Sequence, residues 1–249
     1  MYWISIILFV ASITWGSVGH GSICSRTAIV QQKILQVLDK KNCPKVQEKD
    51  LSSSKFLDLR YQGLKALKEG DFRGFYFLKT LDIRNNTLTS LPPKIFSGLP
   101  SLERLLLSDN KLTTFPEDIF AGLKSLDDLH LDNNHLNSLP KEIFHGLKSL
   151  DELYLNGNRL TALPSKLLHP LKSLEGLFLN DNQLNTLGDE AFVKLKALER
   201  LDLSKNKLVG LSPKVLAPLT SLKRLFLNGN PMTSRPRWIK NLCRNLVCY

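Results

Sequence analysis

No cysteine occurs between Cys43 and Cys243, and no CxxC pair occurs anywhere in the chain. With no histidine at ligand spacing beside the four cysteines, zinc binding has no recognisable ligand set. GxSxG, HExxH and a phosphate-binding glycine loop are all missing, which removes the usual signatures of hydrolases, metalloproteases and nucleotide-binding enzymes. A calcium-loop pattern is absent too. After the first residues no apolar segment is long enough to span a bilayer, and mean hydropathy is −0.11. One sign of charge also runs out, because Leu203 to Tyr249 contains no Asp or Glu.

What remains is ordinary for a folded chain: 249 residues, 43% hydrophobic and 23% charged, neither disordered nor collagen-like. The segment 1–19 has no charged side chain, an apolar run from Tyr2 to about Trp15, and Ser17 and Gly19 at plausible −3 and −1 cleavage positions. That layout predicts a secretory signal peptide, although no Lys or Arg precedes the run. An uncleaved signal anchor is the alternative. Ser22 and Ile23 ahead of Cys24 fit a lipoprotein cleavage box poorly.

A repeat occupies most of the remaining chain. LKTLDIRNNTL begins at Leu78, and LERLLLSDNKL, LDDLHLDNNHL, LDELYLNGNRL, LEGLFLNDNQL, LERLDLSKNKL and LKRLFLNGNPM come after it in register. Their asparagines, Asn86, Asn110, Asn134, Asn158, Asn182, Asn206 and Asn230, recur every 24 residues (110 − 86 = 24). A frayed first copy, FLDLRYQGL, puts Gln62 in that slot. Eight units without an insertion fill 54–232. The pattern LxxLxLxxNxL at this period is that of a leucine-rich repeat, and it predicts an α/β solenoid, a horseshoe with a concave parallel sheet.

Strand alternation turns Leu105 and Leu107 inward and Leu106 outward, and stacked units share a core that none could build alone. An Asn carboxamide donates and accepts, so it can satisfy backbone groups where the chain leaves the strand and bridge successive turns. Gln62, one methylene longer, should do so less well. On the convex half Phe72, Phe96, Phe120, Phe144 and Phe192 recur in one slot, which predicts a buried aromatic spine. Leu91–Pro92, Phe115–Pro116, Leu139–Pro140 and Leu163–Pro164 favour extended, non-helical returns.

An open solenoid needs caps. In 20–53, Val30, Ile34 and Val37/Leu38 lie at helical spacing, and a helix is expected over Ser25–Lys40 with Ser25 or Thr27 as N-cap. In 233–249, Trp238, Ile239 and Leu242 fall on one helical face. Four cysteines behind a signal peptide read as disulfides. Three connectivities exist; Cys24–Cys43 and Cys243–Cys248 are favoured because the ends of a long solenoid lie far apart.

The chain resembles extracellular leucine-rich-repeat proteins of the 24-residue LPxxxFxxL type. The run DLSSSKFLDLRYQGLKALKEGDFRGF resembles the amino-terminal cap of secreted bacterial members. It lacks the cysteine-rich amino-terminal cap and four-cysteine carboxy-terminal cap usual in vertebrate-type members. The resemblance implies binding along the concave sheet and names no ligand.

The outward central column reads Asp58, Asp82, Leu106, His130, Tyr154, Phe178, Asp202, Phe226. Leu106 to Phe178 should form an apolar and aromatic strip of roughly 15 Å, at ~4.8 Å per strand. Exposed strips of this kind, rimmed by polar groups, mark binding surfaces. Asp127, Asp128, Asp151, Glu152 and Glu175 flank it on one side, with Arg104, Arg200 and Arg224 at its ends, while Asp132, Asn156, Asn180 and Asp181 line the other. The expected partner is a protein with apolar and basic features, held by Leu106, Asp128, His130, Glu152, Tyr154 and Phe178. A cation held by Asp128, His130 and Asp132 is the weaker reading. Nine basic residues after Leu203, among them Arg224, Arg235, Arg237, Lys240 and Arg244, could attract anionic glycans or lipid head groups. That surface supports a matrix or surface role as the alternative. Nucleic acid is disfavoured by the export signal and the lack of a recognition motif. Asn85–Asn86–Thr87 is the only glycosylation sequon. No catalytic domain and no cofactor are expected.

Overall fold

Each unit contributes three residues to a strand, and 24-residue spacing brings equivalent residues side by side. The computed structural model describes residues 23–232, 238–239 and 246–248. Strands β1 (Phe56–Asp58), β2 (Thr80–Asp82), β3 (Arg104–Leu106), β4 (Asp128–His130), β5 (Glu152–Tyr154), β6 (Gly176–Phe178), β7 (Arg200–Asp202) and β8 (Arg224–Phe226) form one sheet in sequence order. All pairs are parallel, with Leu57, Leu81, Leu105, Leu129, Leu153, Leu177, Leu201 and Leu225 in one register line. A ninth strand, β9 (Val247–Cys248), pairs with β8. The sequence repeat stops at eight because β9 carries no leucine pattern; the cap supplies it from outside the period.

The core is a stack of leucines with almost no exposure, closed on the convex side by Phe72, Phe96, Phe120, Phe144 and Phe192. Ring centroids in the phenylalanine column are 6.1 and 6.2 Å apart for Phe72–Phe96 and Phe96–Phe120. The returns are turns and extended segments. Among the described residues of the repeats, the α-helix α2 (Pro213–Leu216) stands alone.

The asparagines join one turn to the next. Asn134 Oδ1 accepts from the Leu112 amide at 3.0 Å, and Nδ2 donates to the carbonyls of Leu107 and Leu131 at 3.1 and 3.2 Å. Asn86, Asn110, Asn158, Asn182, Asn206 and Asn230 repeat this arrangement. Gln62 does not: among the described residues its side-chain amide donates to the Arg60 carbonyl alone, within its own turn.

The amino-terminal cap is shorter in helix than the apolar spacing predicts. Helix α1 covers Ala28–Val37, preceded by a 3-10 turn over Ile23–Ser25. Thr27 is the N-cap residue, yet its side chain caps nothing. Its amide and hydroxyl both donate to the carboxylate of Asp71, at 2.7 and 2.6 Å. Arg26, 5% exposed, donates to the carbonyls of Asp71 and Arg73. The helix start is thereby tied to the first repeat's convex loop, and Cys24–Cys43 closes the cap covalently. Cys248 is disulfide-bonded; its expected partner Cys243, like Leu242 and the segment 1–19, lies outside the described residues. Ile239 is buried and Trp238 packs against the core. Among the described residues no helix is long and apolar enough to cross a membrane.

Replacing Asn134 by Ala leaves the buried Leu112 amide without its partner and takes one of two asparagine donors from each of the Leu107 and Leu131 carbonyls, which keep Asn110 and Asn158. The expected loss is about 3 kcal/mol, a Tm lowered by roughly 6–12 °C in thermal unfolding.

Candidate functional site on the concave sheet

Parallel in-register strands place the outward side chains of neighbouring repeats about one strand spacing apart, and three flat side chains use this. The rings of His130 and Tyr154 stack with centroids 4.0 Å apart and planes 15° from parallel. Tyr154 and Phe178 continue the stack at 4.5 Å and 6°. The Arg200 guanidinium lies 5.8 Å from the Phe178 centroid, within cation–π reach. Leu106 stands beside His130 in the register. The four side chains are half-buried. Because stacking occupies the ring faces, the strip offers ring edges to solvent.

The stack is held from both flanks. On β4 and β5, Asp128 pairs with Arg104 at 3.2 Å, while Glu152 pairs with Arg200, two repeats away. Glu152 reaches that far because position 176 of the strand between them is glycine; a Cβ there would collide with the Glu152 carboxylate. The second carboxylate oxygen, Oε2, is buried with no hydrogen-bond partner among the described residues. Burial, reinforced by the charges of Glu152 and Asp128, pushes the Tyr154 phenol up to about 12, so it stays protonated. On the other flank Asp132 accepts from the Ser108 hydroxyl at 2.7 Å and lies 3.7 Å from His130 Nδ1. Burial opposes its ionisation, but these two neighbours hold its carboxyl below the usual range.

Beside Asp128 and Glu152 runs a column of carboxylates from Glu103 to Glu199. Its ends are neutralised, Glu103 by Lys79 and Glu199 by Lys223. Its middle, Asp127, Asp151 and Glu175, has no ion-pair partner among the described residues. Partial burial, then the charges of neighbouring carboxylates, push Asp127 and Asp151 up.

Other sequence-derived candidates come out differently. The acidic start of the central column is internally paired: Asp82, 2% exposed, bonds Arg84 and lies 3.4 Å from Arg60, which also holds Asp58. Asp128, His130 and Asp132 do not gather as metal ligands; no such group occurs among the described residues, and Asp128 and Asp132 turn to Arg104 and Ser108. Part of the basic end is internally paired. Lys205, Lys214 and Lys223 each pair with an acid of the preceding repeat, Asp181, Asp189 and Glu199. Arg224 is exposed; Arg235, Arg237, Lys240 and Arg244 lie outside the described residues. His145 is 80% exposed on the convex side, and His169 Nε2 lies 3.1 Å from the Glu190 carbonyl. Gly176 carries no sequence signal of its own, and its role emerges only when positions 152, 176 and 200 are read across three repeats.

The family model for the leucine-rich repeat matches residues 55–112, 77–136, 124–184 and 172–232. The chain belongs to the leucine-rich-repeat family. Solved structures agree. A leucine-rich-repeat protein of Leptospira interrogans is 35% identical with a TM-score of 0.71, over 83% of this chain and 50% of that one. A chain of the Drosophila Toll–Spätzle complex is 26% identical with a TM-score of 0.69, over 79% of this chain and 27% of that one. A chain of the octameric complex of Latrophilin 3, Unc5D and FLRT2, whose leucine-rich-repeat component is FLRT2, is 25% identical with a TM-score of 0.60, over 78% and 69%. This leucine-rich-repeat chain thus spans half the length of the Leptospira protein and about a quarter of the Toll-complex chain. A search of curated proteins found no match. Leucine-rich repeats are in general recognition scaffolds rather than catalysts.

In a double-mutant cycle of Glu152→Gln and Arg200→Gln, read by chemical denaturation, the coupling should be about 1 kcal/mol. On a Gly176→Ala background it should fall toward zero, because the added Cβ displaces the Glu152 carboxylate.

Proposed function

We propose that this protein is a secreted, non-enzymatic recognition module that binds a protein partner on its concave face, over β3–β7. The observation that carries this reading is the stack of His130, Tyr154 and Phe178 on the open sheet, between flanking columns of charged and polar side chains. Cross-strand stacking adds cohesion to the sheet in any case, but leaving these rings half-exposed on an open face gives an interface rigid apolar area whose ordering cost is already met. Leu106, Asp128 and Glu152 complete the surface. Support for extracellular binding comes from the signal-like segment 1–19, from the Cys24–Cys43 disulfide, and from the Toll–Spätzle and Latrophilin 3–Unc5D–FLRT2 complexes, in which similar chains occur beside protein partners. In this reading 20–53 and 233–249 are caps, and 54–232 is the binding body.

Affinity capture from the extracellular milieu, followed by mass spectrometry, should return a protein. Tyr154→Ser with Phe178→Ser should weaken its capture at least about tenfold, while His145→Ala on the convex side leaves capture unchanged. Equal capture by the folded double variant contradicts the reading.

A further inference from the structure

The concave sheet does not share the charge of the molecule. The chain carries a formal +11, yet the five stretches 103–109, 127–133, 151–157, 175–181 and 199–205 hold eleven carboxylates and three Lys or Arg, a net −8. In the column from Glu103 to Glu199 the end acids are matched, Glu103 by Lys79 and Glu199 by Lys223, and the neighbouring Asp128 and Glu152 are matched by Arg104 and Arg200. Between those ends Asp127, Asp151 and Glu175 are three consecutive acids of one column with no ion-pair partner among the described residues.

We infer that the partner presents two or three lysine or arginine side chains to Asp127, Asp151 and Glu175, beside an apolar group that rests on the ring edges of Tyr154 and Phe178. This rests on the concave-face reading given above and adds the chemistry of the occupant. Three observations select it. In-register strands put these three carboxylates on adjacent rungs, so two partner cations within about 10 Å can meet all three. The ring faces that would otherwise attract a cation are already covered by His130, Tyr154, Phe178 and Arg200, which leaves the carboxylate column as the cation-reading part of the surface. Three acids stand side by side without an ion-pair partner among the described residues, and partial burial with their mutual repulsion raises the carboxyls of Asp127 and Asp151, a repulsion that a partner cation offsets. An anionic glycan or an acidic protein surface meets the opposite field and is repelled.

The pH dependence has a definite sign. Carboxyls with raised values take up protons at a higher pH than ordinary Asp, so binding should weaken as pH falls from 7 toward the acid range. The same repulsion predicts that removing the charges does not harm the fold.

The test uses the full chain and the variant Asp127→Asn, Asp151→Asn, Glu175→Gln. The probe is a fluorescein-labelled peptide KLKFK, with ELEFE as its counterpart, read by anisotropy near physiological salt. The expected result is binding of KLKFK but not ELEFE, at least tenfold weaker in the triple variant and weaker at acid pH, with the variant's Tm equal to or above that of the unmodified chain. Equal affinity of both proteins for KLKFK, or equal binding of ELEFE, overturns the inference. The captured partner separates the two readings. If Tyr154→Ser with Phe178→Ser abolishes its capture and the triple variant does not, the concave face binds but reads no cation. If neither changes capture, both readings fail. Sedimentation showing concentration-dependent self-association that the triple variant abolishes makes a second copy the occupant, and that too overturns the inference.

Discussion

The hydrogen bonds of the asparagine column set the terms for everything else in this molecule. Each carboxamide takes its amide from one turn and gives its N–H groups to carbonyls of two, so successive repeats are held at a fixed rotation and spacing. That register turns eight short strands into one parallel sheet. It also decides which side chains on the open face become neighbours. Residues 24 apart in sequence sit one strand spacing apart, and residues 48 apart can still form an ion pair, as Glu152 and Arg200 do. Hydrophobic burial supplies the bulk of the stability and fixes which side chains turn inward; the asparagines add directed bonds that fix the spacing of one turn on the next.

On that lattice, chemistry is written in columns. The rings of His130, Tyr154 and Phe178 stack because parallel pairing presents them at nearly the distance aromatic faces prefer. The same spacing crowds Asp127, Asp151 and Glu175. One column gains cohesion from its neighbours and the other is repelled by them, and the two run side by side. The result is a rigid apolar strip next to a patch whose charge is unbalanced in the free protein, within a chain of opposite overall sign. Gly176 joins the columns by leaving room for Glu152 to cross β6, and the guanidinium it meets closes the end of the ring stack.

Most of this architecture was legible in the residues. The period, the asparagine slot, the phenylalanine spine and the outward column all come from spacing and alternation. The physical reason is that a solenoid makes every important contact at a constant sequence offset. What escaped a linear reading was whatever depends on neighbours across that offset. The basic stretch after Leu203 looks uncompensated along the chain, but Asp181, Asp189 and Glu199 meet three of its lysines from one repeat earlier. Asp58 and Asp82 look like open acids and are held by Arg60 and Arg84. Thr27 reads as a helix cap and instead binds Asp71, because a buried carboxylate in the first repeat outcompetes the helix's own amides. The pair Val247–Cys248 has no strand signature and becomes a strand only because β8 offers an unpaired edge.

The most direct test of a concave, ring-centred binding surface is hydroxyl-radical footprinting of the full chain with and without its captured protein partner. Such a surface predicts that His130, Tyr154 and Phe178 lose reactivity on binding, while His145 and His169 on the convex side keep theirs. Protection of the convex residues with unchanged oxidation of Tyr154 and Phe178 would contradict it.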